Sequence, residues 1–494
     1  MTSRATKTPL LGWLAGVAAA LLAASPAVRA APPAASIPAR PNPYADSRHG
    51  NPRTGILRDS RYPRGSCMQC HGGPSTQGRT RGERHPHGLF AAAGNDFCLR
   101  CHRQPLRSFP GPARYGESAH AGARAPLSTG PVRKRARLPQ TMGACTNCHD
   151  PHGRADAQGI IPAMLVARGD DLCLSCHGAS GPGPNVRSQL QKSATHPSTA
   201  RQVSAVAARG LRGNLQVAGC TDCHNPHLAR RDGGRIAAPN ASARLTGAPR
   251  VRVTNNPGGT PLLEEVPLEE LMGAREYEIC FRCHAGPATA SRAGRRFDPL
   301  GAMPTVAASV RAAAGALPTT DLAALFNPNN PSYHPVEAPG RSNIDSAAFT
   351  QGWSAGRQIY CADCHSSDGG EMRGPHGSRH DGLIKRRMPT TVTPERVLDT
   401  DLCFDCHAFP TYAQPGAGVA SQGTRFGSHA SHSARGYSCY ACHDSHGSAT
   451  MPALLVTRPL AMTAFTATPV GGTCTANCHS TTPRTVTYRA RYPR

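Results

Sequence analysis

Apolar positions along this chain seldom fall into a long regular pattern. Leu10 to Ala24 is continuously apolar, with Arg4 and Lys7 before it and Val28-Arg29-Ala30 after it. That order of basic, apolar and small residues is a secretion signal over residues 1–30, too short to span a bilayer. Beyond it no run approaches the length of a spanning helix, so no transmembrane span is expected in the mature form. PLEELMGAREYEI (267–279) has helical spacing and runs into Cys280. TVAASVRAAAGAL (305–317) predicts a second helix, and Thr319, Thr320 and Asp321 predict a cap for a short one at 322–326. The closing TVTYRARYP alternates like a strand. It could offer an edge to a partner, but a loose tail over 480–494 is the expectation.

Composition changes the picture. Apolar residues make up 38% and aromatics 5%, against 51 Gly and 46 Pro. Such a chain cannot bury enough apolar side chain to offset its ordering entropy unless something else supplies a core.

The cysteines identify that supplement. All 20 fall into pairs, and each pair is followed at once by His. Nine read C-x-x-C-H: Cys67/Cys70/His71, Cys98/Cys101/His102, Cys145/Cys148/His149, Cys173/Cys176/His177, Cys220/Cys223/His224, Cys280/Cys283/His284, Cys361/Cys364/His365, Cys403/Cys406/His407 and Cys439/Cys442/His443. The tenth, Cys474/Cys478/His479, has one extra residue. Zinc ribbons and disulfides need no His after every second Cys, whereas covalent attachment of haem c does. Two thiols join the porphyrin, and the adjoining His supplies the proximal iron ligand. Ten porphyrin plates would supply the missing apolar surface. The expected fold is a multihaem cytochrome c of mostly irregular backbone, with short α-helices wrapped around a chain of ten haems and little β structure.

The motifs alternate in their flanks. Odd-numbered ones follow small residues or Tyr/Ser; even-numbered ones, the tenth excepted, follow an acid and an apolar residue: Asp96-Phe97, Asp171-Leu172, Glu278-Ile279 and Asp401-Leu402. The repeat is therefore a pair of motifs. The remaining histidines fit it. His87, His152, His227, His376 and His446 follow odd motifs, mostly before Gly. His49, His120, His196, His334 and the pair His429/His432 precede them. Each unit thus carries two candidates for the two distal axial positions, with one of His429 and His432 to spare. His85 and His380 are left over. In the 145–177 unit, the expectation is that His152 serves the Cys173/Cys176 haem and His120 the Cys145/Cys148 haem. The ten Met hold no fixed offset from the motifs, so Met ligation is not expected.

Five dihaem modules result: 49–102, 120–177, 196–284 with an insert, 334–407 and 429–479. A Pro/Ala-rich flexible segment spans 31–48, a helical linker 285–333, and Gly/Pro connectors occupy 103–119, 178–195 and 408–428. The formal charge of +25 invites a nucleic-acid reading. Ten haems would bring about twenty propionate carboxylates, which offset most of it and give the arginines partners. No nucleic-acid partner is expected.

CTNCHDPHG, GYSCYACHDSHG and NPNNPSYHPV resemble the doubled-CXXCH family of multihaem c-type cytochromes. The likeness covers about 49–479. It implies export before haem attachment, bis-His ligation, and stacked and T-shaped haem pairs. Its nearest functional analogues are decahaem partners of outer-membrane porins and extracellular cytochrome filaments, in anaerobic or extracellular respiration. Implied partners are other cytochromes, a porin or copies of itself, in the periplasm or outside the cell. Filled axial positions point to single-electron transfer rather than catalysis. The alternative is a multihaem oxidoreductase of nitrogen or sulfur compounds with one open haem, and a third reading is haem storage.

Overall fold

Nine of the ten cysteine pairs begin on, or just ahead of, a short helix or helical turn. Turns such as Met68–His71, Cys145–Asn147, Cys220–Asp222, Cys361–Cys364 and Cys439–Ala441 are short because Gly or Pro soon follows or precedes them. In eight of them the His N–H donates to the carbonyl of the first Cys at 2.8–3.1 Å. That bond closes one turn and brings both sulfurs and the imidazole to one side of it. The spacing of the motif is therefore a local instruction that the backbone carries out.

The computed structural model describes residues 42–71, 88–91, 94–103, 112–123, 142–196, 218–285 without 235, 258–259, 268–269 and 271–272, 321–414 without 343, 371 and 391–393, 424–479, and 484–489. The signal-like segment, His85, His87 and the expected helix at 305–317 lie outside them. The described residues belong to one compact unit that begins at Asn42.

The inserts make the one larger apolar cluster found among these residues. Strands Val251–Thr254 and Leu262–Glu265 pair antiparallel and pack on helices Glu276–His284 and Leu322–Phe326. Val251, Leu263, Tyr277, Phe281, Phe326 and Val336 are buried together. The expected cap is present: the Asp321 carboxylate accepts from the Ala324 N–H at 3.1 Å. The helix expected from 267 begins only at Glu276 and continues to His284. Gly273 takes a left-handed φ of 70°, which stops a helix from running through it.

The C-terminal expectation needs correction. Arg484–Arg489 is a strand paired with Gly471–Ala476, which in turn pairs with Met462–Thr468. Thr473 and Thr475 meet Thr487 and Thr485 through their hydroxyls at 3.1 and 3.0 Å. Alternating Thr and Val suit a pleated surface, and the side-chain pairs across it hold the segment in place. The first Cys of the tenth motif, Cys474, consequently lies on a strand between Phe465 and Val486.

Candidate haem-binding sites

The histidines face one another in nine pairs. Four odd motifs pair His71 with His152, His149 with His227, His224 with His376 and His365 with His446, at ring-centroid distances of 6.1, 6.0, 6.1 and 6.2 Å. Four even motifs pair His102 with His49, His177 with His120, His284 with His196 and His407 with His334, at 6.0, 6.2, 6.1 and 6.4 Å. His443 faces His429 at 6.2 Å. Two imidazoles bound to one metal, each about 2 Å from it, have centroids roughly 6 Å apart. The chain thus leaves the gap that an axially ligated iron needs. Among the described residues no group of three or more His, Cys, Asp or Glu could hold a bare metal ion. The donor set fits haem.

These pairs overturn the expected assignment in the 145–177 unit. His152 faces His71 of the first module, not His177. His120 faces His177, not His149. The reason is reach: Asp150 accepts from the His152 N–H at 3.0 Å and turns that ring away from its own module. Of His429 and His432, the first faces a proximal ring. The His432 Nδ1 donates to the Ser428 carbonyl at 2.8 Å, and its ring lies 5.5 Å from Phe426. His87 lies outside the described residues, as does the side chain of His479.

Burial favours the neutral form, the one that ligates metal, in several of these rings. It pushes His49, His284, His376 and His407 down to about 4, and His227 and His429 down to about 3. Backbone carbonyls then set the tautomer. The Nδ1–H groups of His149, His224, His365 and His443 donate to Ala163, Arg244, Gly382 and Ala453 at 3.0, 3.2, 2.7 and 2.8 Å. Such a bond leaves Nε2 for a metal and fixes the ring plane.

The thiols run in chain order. The first Cys of an even motif meets the first Cys of the next odd one: Cys98 with Cys145, Cys173 with Cys220, Cys280 with Cys361, Cys403 with Cys439. Within modules, Cys70 neighbours Cys101, Cys148 neighbours Cys173 and Cys176, Cys223 neighbours Cys280 and Cys283, Cys364 neighbours Cys406, and Cys442 neighbours Cys478. Burial pushes the Cys223 and Cys364 thiols up to about 12.

The two cysteines of a motif are not equivalent, contrary to what the uniform motif suggests. Cys283 is exposed, whereas Cys280 of the same motif is half-buried. The helix Glu276–His284 buries Tyr277, Ile279, Phe281 and Arg282, while Cys283, in its last turn, stays exposed. Cys67, Cys101, Cys148 and Cys439 are likewise exposed. Exposure leaves such a thiol open to an incoming porphyrin vinyl group, so it does not count against attachment.

Two features escaped the sequence reading. The polar residue that matters before an even motif is not the acid next to the apolar residue. Asn95 accepts from the Cys145 N–H at 2.8 Å, Asp170 from Cys220 at 2.9 Å, and Glu276 from Ala362 at 3.3 Å. Each caps the following odd turn. The carbonyls that orient the proximal rings sit in left-handed turns at Ala163, Gly382 and Ala453. The recurrence of Pro-Ala-Met-Leu at 162–165 and Pro-Ala-Leu-Leu at 452–455 was the available signal.

No curated protein and no solved structure matched the chain. A family model, the doubled CXXCH motif, matches residues 138–181. That segment holds the third and fourth attachment sites. The chain therefore carries the paired attachment motif of multihaem c-type cytochromes, which binds haem c covalently.

Proposed function

We propose that this chain is an exported decahaem c-type cytochrome that carries single electrons along a row of bis-His haems, in anaerobic or extracellular respiration. The observation that carries the reading is the set of nine His–His pairs at 6.0–6.4 Å. A haem, when bound, supplies a reversible one-electron iron couple. The residues of the chain do the rest. Paired imidazoles would hold the iron of a bound haem from both sides and leave it no place for a substrate. Carbonyls on Nδ1 hold the rings in orientation, so little rearranges when charge changes. Sulfurs adjacent in chain order set the attachment points side by side, which favours transfer from each haem to the next. His432 is the proposed distal ligand of the tenth haem. Among the described residues no helix is long and apolar enough to cross a membrane. Partners are then other redox proteins, met in the periplasm, at an outer-membrane porin or in a self-polymer.

The test is an absorption and haem-content measurement on the exported protein. Ten haems per chain by pyridine haemochrome, a wholly low-spin ferric spectrum and no carbon monoxide adduct are expected. A high-spin fraction of one haem in ten, binding carbon monoxide or nitrite, would instead point to the multihaem enzyme.

A further inference from the structure

The described turns after the last four odd motifs make contacts that their own modules do not use. Asp150, Asn225 and Asp444 each accept from the N–H two residues on, at 3.0, 3.0 and 2.8 Å, and so project His152, His227 and His446. The fourth module reaches the same result with Pro375-His376. Each of these rings faces the proximal histidine of the preceding module: His71, His149, His365 and, for His376, His224.

The turns of the third, fourth and fifth modules also touch the preceding module's other site. The carbonyl just before the projected histidine accepts from a distal ring there. His120 donates to Pro226 at 3.0 Å, His196 to Pro375 at 2.9 Å, and His334 to Ser445. Backbone bonds seat the turn. Ala119 N–H donates to Ala229 at 2.8 Å, Ala194 and Ser378 exchange bonds of 2.9 and 2.8 Å, and His334 N–H donates to His446 at 3.0 Å. Glycine permits the approach: a Cβ at Gly377 or Gly447 would collide with the backbone of Gln189 or Leu325. In the fifth module the ring facing His443 is its own His429, on the helix His429–Ala434 and bonded to Thr424 at 3.2 Å.

We infer that the turn of each following module serves both haems of the module before it. Its imidazole is an axial ligand of that module's first iron, and its backbone carbonyl orients the distal histidine of the second. The inference rests on the haem reading above and adds to it that the modules are interlocked through the iron sites. No module from the first to the fourth then completes its own first haem, while the fifth does so with His429.

The test uses the full-length holoprotein with His376→Ala. About one haem in ten becomes high-spin and binds carbon monoxide, and added imidazole returns it to low spin. Peroxide bleaching followed by haem-peptide mass spectrometry locates the open site, because accessible iron is destroyed first. Loss at the Cys220–His224 peptide of the third module is expected. Loss at a peptide of the fourth module, or a spectrum that stays wholly low-spin, overturns the inference. His376→Met provides a variant that keeps a ligand: the haem stays low-spin but gains a sulfur-to-iron charge-transfer band and a higher potential. Gly377→Val, which unseats the turn, perturbs both haems of the third module; a change confined to the fourth overturns the shared role. A wild-type chain lacking covalent haem would sink the haem reading itself, before any variant is compared.

Discussion

Odd and even sites differ in how their rings are held. At the first four odd sites the facing imidazoles are nearly parallel, with interplanar angles of 10, 12, 7 and 4°. At the first four even sites they are crossed, at 40, 77, 60 and 47°. The cause lies in the hydrogen bonds. At three of the four odd sites a carbonyl of the same module orients the proximal ring, and at three of the four an Asx turn of the next module orients the distal one. At three of the four even sites a carbonyl of the next module holds the distal ring. The two planes are thus set from different pieces of chain, and one motif yields two kinds of site.

Removing a distal ring is the strongest way to break this comparison. His227→Ala should open the haem on Cys145/Cys148, and His120→Ala the haem on Cys173/Cys176, each turning about one haem in ten high-spin. Haem-peptide mapping after bleaching distinguishes them; His120→Ala opening the haem on Cys145/Cys148 instead would restore the within-module pairing expected from sequence.

Frozen-solution electron paramagnetic resonance reads the ring planes without mutation. Parallel rings act on the same iron d orbital and split it from its partner; crossed rings leave the two nearly equal. Two low-spin populations should appear, one rhombic and one with a single large g-value, in similar amounts. A single population would erase the distinction between odd and even sites.

Glu276 links the two kinds, because it lies on an even-site helix and caps the next odd turn. Burial raises its carboxyl from 4.5 to about 7. The folded chain therefore keeps a proton that the unfolded chain releases, and stability falls as pH rises from 4.5 to about 7, then levels off. Glu276→Gln should flatten that slope in chemical denaturation and add about 1–2 kcal/mol at pH 8, given about 1.4 kcal/mol per pKa unit reduced for partial exposure. An unchanged slope would remove Glu276 as its source.

The smallest effect concerns the odd-site carbonyls. Ala163 and Ala453 hold φ values of 53 and 55°, which cost a non-glycine residue about 1 kcal/mol. Ala163→Gly should recover up to about 1 kcal/mol in thermal unfolding, with the spectrum unchanged. A loss of stability would show that the methyl group matters more than the turn.

The attachment sites were readable because C-x-x-C-H closes on itself within one turn. The helix at Leu322–Phe326 was readable from its Asp321 cap, for the same reason of locality. The start of the Glu276–His284 helix was misjudged because apolar spacing continues through Gly273 while the backbone does not. The tail at Arg484–Arg489 was misread because its partner strand contains the tenth motif, and a strand's pairing is not local. Nine of the histidines named as distal candidates do face a proximal ring, yet the partners expected in the 145–177 unit were wrong. The sequence by itself determined where the Cys-x-x-Cys-His turns form and which histidines are left over from them, since both depend on a few adjacent residues. Only the tertiary structure decided which ring faces which, because the facing ring arrives on a turn of another module, seated by backbone bonds and close glycine contacts that no local pattern encodes.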